Sequence, residues 1–260
     1  MAEQAADVVT WKTVDQGITV VSIDRPPANA LGMPLLDGMH LAMDAAEQAG
    51  DVKVLVVSSA LTGYFAAGAD IKHLSSIDAE TFTAYGDRMR EVNDRLAAAP
   101  YLSIAAVDGV ALGGGLELAM ACTLRVAGPH GRFGLPEVKL GLIPGAGGTQ
   151  RLPRLVGRGR ALDIMLTARQ VDAGEAFRIG LVDRLTEGDV LDAALEFARE
   201  LIGPSLPAQL SVVRTVNAAH DLPLVEGARY EVAEIQSLFE DGEAGEGIAA
   251  FVGKRAPKFR

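Results

Sequence analysis

Residues 102–122 read Leu-Ser-Ile-Ala-Ala-Val-Asp-Gly-Val-Ala-Leu-Gly-Gly-Gly-Leu-Glu-Leu-Ala-Met-Ala-Cys. Three signals follow one another in this stretch. Leu102 to Val107 is an apolar run of strand length, as expected for a strand covered on both faces. Asp108 to Gly115 is a glycine-rich loop, and Leu116 to Cys122 opens an apolar helix. A buried strand that passes through a small-residue turn into a helix is a building unit of an α/β domain with parallel pairing.

The same grammar extends in both directions. Upstream, Val52 to Ser58 is a second buried run, followed by a Gly/Ala loop from Gly63 to Ala69. Asp78 is placed to cap a helix that continues to about Ala99, where Pro100 stops it. Earlier still, Val8 to Val14 and Ile18 to Asp24 are β-rich and separated by Asp15-Gln16-Gly17, which predicts a hairpin closed off by Pro26-Pro27. Pro34 suits the first turn of a helix to about Gly50, with Leu35, Leu36, Met39 and Met43 on its apolar side. Downstream the strand–loop–helix pattern repeats loosely, and after Leu185 the chain turns helical over 188–202, 207–220, 223–239 and 243–253. The expected organisation is an α/β core over 1–190 and a helical region over 191–260, packed on the core or on a neighbour.

Composition sets outer limits. A chain of 260 residues with 49% apolar side chains buries about three quarters of its unfolded surface and is too apolar for disorder. The single cysteine, Cys122, excludes an intrachain disulfide and sits in an apolar run, so it reads as a buried, inert thiol. The first residues lack a basic segment followed by an apolar one, and no apolar run reaches membrane-spanning length, so a soluble cytoplasmic protein without a membrane partner is expected. The net charge of −10 argues against nucleic acid as a partner. It leaves room for a small anionic ligand, because Lys254, Arg255, Lys258 and Arg260 cluster at the end of the chain; the plain reading of that cluster is a solvated tail.

Three segments carry candidate chemistry: Phe65 to Lys72, Ala111 to Leu118, and Phe133 to Glu137 with its continuation Gly141 to Thr149. The first two are small-residue loops that lead from a buried strand into a helix. Unpaired N–H groups and the helix dipole favour an anion there, and glycines let a ligand approach the backbone. Two such loops could aim two N–H donors at one oxyanion. The same features suit a phosphate, or close helix–strand packing with no ligand at all, although neither loop has the phosphate-loop pattern. Glu117 has the plain reading of a capping or helix-dipole partner, but Leu116 and Leu118 on either side fit that reading less easily, and partial burial there would raise its pKa towards the range of proton transfer. On spacing alone Glu137 reads as a surface glutamate. The four histidines, His40, His73, His130 and His220, form no local metal-ligand motif, and no nucleophile elbow is present.

Taken together, these segments resemble the crotonase (enoyl-CoA hydratase/isomerase) family. The likeness runs from Asp24-Arg25-Pro26 and Asn29-Ala30-Leu31 to Phe251-Val252-Gly253-Lys254-Arg255. It implies a spiral of ββα turns with a helical C-terminal trimerisation region, assembled as trimers or dimers of trimers. It implies that the N–H groups of Ala69 and Gly114 bind a thioester oxygen. Glu117 and Glu137 would hold one water, with Glu117 taking its proton and Glu137 supplying a proton to the α-carbon. Ala28, Ala67, Asp70, Ile71 and Lys72 would line the path of coenzyme A, and Lys254 and Lys258 would meet its phosphates. Coenzyme A is then part of the acyl-CoA thioester substrate, with no separate cofactor and no metal.

Two positions depart from the family pattern: Thr123 stands where Asp is common, and Leu116 where Cys is common. The first bears on a structural contact and the second on the acyl pocket. The implied activity is hydration of a 2-trans-enoyl-CoA to a 3-hydroxyacyl-CoA, as in fatty-acid β-oxidation. The alternatives are a Δ3,Δ2-enoyl-CoA isomerase, for which one acidic residue often suffices, and a non-catalytic acyl-CoA- or RNA-binding homologue.

Overall fold

The computed structural model describes residues 4–6 and 8–259; Arg260, the last member of the basic cluster, and most of the first seven residues lie outside them. The chain begins with three strands, β1 (Gln4–Ala6), β2 (Val9–Asp15) and β3 (Ile18–Ile23), the last two forming the expected hairpin. Helix α1 (Met33–Ala49) has Pro34 in its first turn and ends on Gly50 in the left-handed region. Leu35, Leu36, Met39, Ala42, Met43 and Ala46 bury one of its faces, the helical spacing read from the sequence.

Next come β4 (Val54–Ser59), β5 (Tyr64–Ala66), the short α2 (Ile71–Leu74) and α3 (Ala79–Ala97), whose first turn is capped by the Asp78 carboxylate accepting from Thr81 N. A second pass gives β6 (Leu102–Val107), β7 (Val110–Leu112) and α4 (Gly114–Ala121). A third gives β8 (Leu124–Ala127), β9 (Arg132–Gly134), a 3-10 turn over Glu137–Leu140, and helices α5 (Gly148–Val156) and α6 (Arg158–Thr167). The core finishes with β10 (Val171–Asp172), α7 (Ala173–Arg178) and β11 (Arg184–Leu185), then α8 (Val190–Ile202).

The strands divide between two sheets. The larger has the order β1-β2-β3-β4-β6-β8-β11 and the smaller β10-β9-β7-β5. Pairing is parallel from β3 through β11 in the first, and from β5 through β9 in the second. Each pass lays one strand in each sheet and then a helix, which is the ββα spiral. All six residues of β6 are buried, so this strand is covered on both faces.

The smaller sheet corrects the reading of two loops. Gly63–Ala69 and Asp108–Gly115 each hold a three-residue strand, and α4 starts at Gly114 rather than Leu116. Strands this short, flanked by glycines, carry no alternation of their own; parallel pairing of Tyr64 with Val110 and of Ala66 with Ala111 creates them. Helices also begin earlier than Leu185, since α5, α6 and α7 were hidden by breakers. Pro153 lies inside α5, and Gly157, at φ +81°, separates α5 from α6.

Thr123 takes up its departure position through Ser103. Thr123 N donates to Ser103 Oγ at 2.9 Å, and Ser103 N donates to Thr123 Oγ1 at 3.1 Å. Leu116 is wholly buried in the core, and burial pushes the Cys122 thiol up to about 12.

The chain forms two compact units, Met1–Ala198 and Arg199–Arg260, with the division inside α8. The second unit holds α9 (Leu206–Ala218), α10 (Leu224–Glu240) and α11 (Ala244–Val252). Within it Arg214 pairs with Glu234 at 2.6 Å, and Arg255 pairs with Glu246 at 2.6 Å. Among the described residues no helix is long and apolar enough to cross a membrane.

Candidate active site

The site is built around the start of α4. Gly113 caps this helix at φ +51°, ψ −126°, which glycine adopts without a Cβ clash. A Cβ at Gly113 would lie 2.7 Å from Glu137 Oε1, so the absent side chain also makes room for that carboxylate. Gly113 N donates to Gly134 O at 2.9 Å, tying the turn to the end of β9, three residues before Glu137. Gly113 O accepts from Glu117 N at 3.0 Å. In a planar peptide the C=O and N–H point in opposite directions, so the Gly114 N–H projects out of the helix start.

A second N–H arrives from the loop before α2. Gly68, at φ +100°, approaches so closely that a Cβ there would be 2.8 Å from Leu112 O and 3.5 Å from Gly114 N. Leu31 N donates to Gly68 O at 2.8 Å, which turns the Ala69 N–H, on the other side of the same peptide, away from Leu31. A Cβ built at Gly114 would lie 3.7 Å from Ala69 N. Neither N–H takes part in a hydrogen bond among the described residues. Two unengaged backbone donors side by side are suited to one developing oxyanion.

Two carboxylates complete the site, in opposite environments. Glu117 is 1% exposed, and its Oε1 accepts from Ala146 N at 2.8 Å and from Gly148 N at 2.7 Å. Burial raises its pKa; these two N–H groups, and then the charges of Arg151 and Arg90, pull it back. Glu137 sits at the head of the 3-10 turn, and its Oε2 is buried with no hydrogen-bond partner among the described residues. Burial lifts it to about 7, opposed by its own backbone N–H and reinforced by the charge of Glu117. A firmly held carboxylate beside one that titrates near neutrality is an arrangement suited to acid/base chemistry.

The remaining candidates fall into three groups. Ala28 and Ala67 are joined, with Ala67 N donating to Ala28 O at 3.0 Å. The Asp70 carboxylate is occupied structurally: it caps α2 through Lys72 N and His73 N and pairs with Arg25 at 2.7 Å. Burial alone would raise its pKa, but the Arg25 hydrogen bond and the helix N–H groups outweigh that and lower it. Ile71 and Lys72 are exposed on α2, so their side chains are free to meet a ligand. Lys254 and Lys258 are exposed in the second unit, where Lys258 N donates to Glu246 Oε1 at 2.7 Å.

Within the candidate segment Gly141 to Thr149, the stretch Gly145-Ala146-Gly147-Gly148 has no task that the sequence assigns. Its signal was the cluster of small residues. In the structure this segment is the clamp on Glu117, and the clamp is itself held: Ala146 O accepts from Asn93 Nδ2 at 3.0 Å and from Arg151 at 3.2 Å.

Comparison with known proteins gives the same picture. The family model described as enoyl-CoA hydratase/isomerase matches residues 13–260. A Rhizobium meliloti (strain 1021) protein named "Probable enoyl-CoA hydratase" is 41% identical, over 94% of each chain. The mouse mitochondrial methylglutaconyl-CoA hydratase is 37% identical, over 95% of this chain and 80% of its own. The crystal structure of a Bacillus anthracis enoyl-CoA hydratase superposes with a TM-score of 0.92 at 30% identity, covering 97% of this chain and 98% of that one. With a ββα spiral, two glutamates and two free N–H donors at one place, and a match over nearly its whole length, this chain belongs to the crotonase (enoyl-CoA hydratase/isomerase) family.

Proposed function

We propose that this protein is an enoyl-CoA hydratase, a hydro-lyase that adds water to the double bond of a 2-trans-enoyl-CoA to give a 3-hydroxyacyl-CoA, the reaction type of fatty-acid β-oxidation. One observation carries the reading: a buried carboxylate, Glu117, and a half-buried one, Glu137, lie beside the unengaged N–H groups of Ala69 and Gly114. Glu117, clamped by Ala146 and Gly148, takes a proton from water as the oxygen bonds to the β-carbon. The π electrons move onto the thioester oxygen, where the two N–H groups meet the new charge. Glu137, protonated near neutrality, returns a proton to the α-carbon as the carbonyl re-forms. Water has been added across the bond, and passage of the proton from Glu117 to Glu137 restores the site. The β-carbon gains oxygen and the α-carbon gains hydrogen, so their changes of oxidation state cancel and the reading calls for no redox cofactor.

The exposed ammonium of Lys72 and the Ala28–Ala67 backbone are assigned to coenzyme A. The assembly is assigned as a trimer or a dimer of trimers, in the cytoplasm. The support for an oligomer is the second unit's surface: Val225, Val232 and Phe239 of α10 are each at least 60% exposed and follow helical spacing. Assaying hydration across 2-enoyl-CoA substrates of rising chain length, with branched and carboxylated acyl groups and a 3-enoyl-CoA included, tests the reading. Hydration of straight-chain 2-enoyl-CoA should be fastest. Faster isomerisation of the 3-enoyl-CoA, or a preference for a carboxylated acyl group, would replace it.

A further inference from the structure

We propose that Tyr85 is a positioning residue for the oxyanion donors: its hydroxyl locks the loop that presents the Ala69 N–H. Tyr85 lies on α3, 3% exposed, with no place in the acid/base pair. Its hydroxyl donates to Leu31 O at 2.5 Å and accepts from Asp70 N at 3.0 Å. Leu31 N in turn donates to Gly68 O at 2.8 Å. The three bonds form a closed circuit around Ala69. Leu31 holds the peptide before it by the carbonyl, and Tyr85 holds the peptide after it by the N–H. Tyr85 also fixes Leu31 itself.

The direction of the Ala69 N–H is the direction of the Gly68–Ala69 peptide plane, and that plane can turn only if one of these bonds opens. Burial raises the Tyr85 phenol above its ordinary range, so the hydroxyl stays protonated and able to donate throughout the physiological range. The ring is held independently of the hydroxyl by an edge contact with His73, with centroids 5.1 Å apart. Asp70, already fixed by Arg25 and by its cap on α2, makes the far side of the circuit rigid. The circuit therefore joins three segments distant in sequence at the one peptide whose orientation matters. Loss of the hydroxyl leaves Leu31 O and Asp70 N without this partner, and the Gly68–Ala69 peptide keeps only the Leu31 N–Gly68 O bond of the circuit, with more room to rock.

This inference rests on the hydratase reading, and its test separates the two. A saturated acyl-CoA carrying 13C at the thioester carbonyl cannot be hydrated, and its carbonyl stretch falls in frequency when donors polarise the bond. Isotope-edited infrared spectra of this probe on the wild-type protein report the oxyanion donors. The band should lie below that of the free thioester; an unshifted band would overturn the oxyanion assignment, and this inference with it.

In Tyr85→Phe the band should move back toward the free position. Hydration kcat should fall roughly 10-fold with KM within about twofold, less than the roughly 10²–10³ lost on deleting a donor outright, because the N–H is still present but misdirected. His73→Ala removes the ring contact and keeps the hydroxyl, so it should lower thermal stability while leaving band and kcat near wild type. p-Aminophenylalanine at position 85, which restores a donor to Leu31 O, should recover band and kcat part-way, and it serves if the Phe variant does not fold. A Tyr85→Phe band that stays at the shifted wild-type position, or a kcat loss matched by His73→Ala, would overturn the role of Tyr85 and leave the hydratase reading standing.

Discussion

Gly148 N donates to Glu117 Oε1 at 2.7 Å, and a Cβ on Gly148 would sit 3.0 Å from that same oxygen. The residue that fixes the carboxylate must therefore be the one with no side chain. The added methyl of Gly148→Ala would also meet Pro144 Cβ at 2.8 Å and Leu135 Cδ1 at 3.0 Å. Overpacking of this kind costs about 1–3 kcal/mol. Because Glu117 must shift to relieve it, kcat should fall by roughly 10- to 100-fold, with substrate affinity less affected. Steady-state kinetics beside a thermal melt check this; a destabilised variant with wild-type kcat would show that the clamp does not set the position of Glu117.

The two carboxylates should each be needed. Glu117→Gln and Glu137→Gln keep the shape of the site and remove one proton-transfer group, so each should lower hydration kcat by about 10²–10⁴-fold. If both act on one water, as proposed, the double variant should lose less than the product of the single losses. Near-normal hydration by Glu117→Gln would refute the assignment.

Glu137 predicts a pH dependence in both activity and stability. As the acid, its protonated form declines as pH rises through about 7, so kcat/KM should fall above that point, and Glu137→Gln should lose this limb with most of its activity. For stability the sign follows from a folded value near 7 against an ordinary value of 4.5. The group's stabilising contribution is complete below 4.5 and is lost as pH rises through about 7. Glu137→Gln, which never ionises, should therefore melt higher than the wild type at pH 8 and alike at pH 4. Discounted for partial exposure, the gap should be about 1 kcal/mol or less, roughly 2 °C. Equal melting temperatures at both pH values would contradict the raised value.

What the sequence disclosed follows from what each signal depends on. α1, α3 and β6 carry their own periodicity, caps and breakers, and they stand within a few residues of where the chain predicts them. β5 and β7 exist through their pairing with each other, so no local pattern announces them. Glu117 was marked by its apolar neighbours, but on spacing Glu137 looked like a surface residue, and only the resemblance gave it a role. Its carboxylate is half-buried and lies against Gly113, 24 positions earlier, a contact that no window of sequence contains. Tyr85 was invisible for the same reason: its partners are Leu31 and Asp70.

Lys72 should influence coenzyme A affinity and not the chemistry. It is exposed on α2, while Asp70 beside it is committed to Arg25 and to the cap. Lys72→Ala should raise KM and leave kcat close to wild type, the signature of uniform binding. The difference should shrink at high salt, because exposed charge pairs are screened. A fall in kcat at constant KM would remove Lys72 from the coenzyme A path.

The apolar stripe of α10 should be an interface between copies of the chain. Val225, Val232 and Phe239 recur at intervals of seven, two helical turns, so they share one face, and none of the residues of this helix is buried. Arg214 and Glu234 pair at 2.6 Å within the same unit, so the helix has a polar anchor that leaves the stripe uncovered. Exposed apolar surface of this kind is normally covered by a partner, and homo-oligomers close symmetrically. Light scattering should give about three or six times the chain mass of 27.2 kDa. Phe239→Glu places a charge in the stripe, and burying an unpaired charge costs several kcal/mol, so this variant should dissociate at micromolar concentration while keeping its helical circular dichroism. A wild-type monomer, or a Phe239→Glu assembly of unchanged mass, would show that α10 does not form the contact.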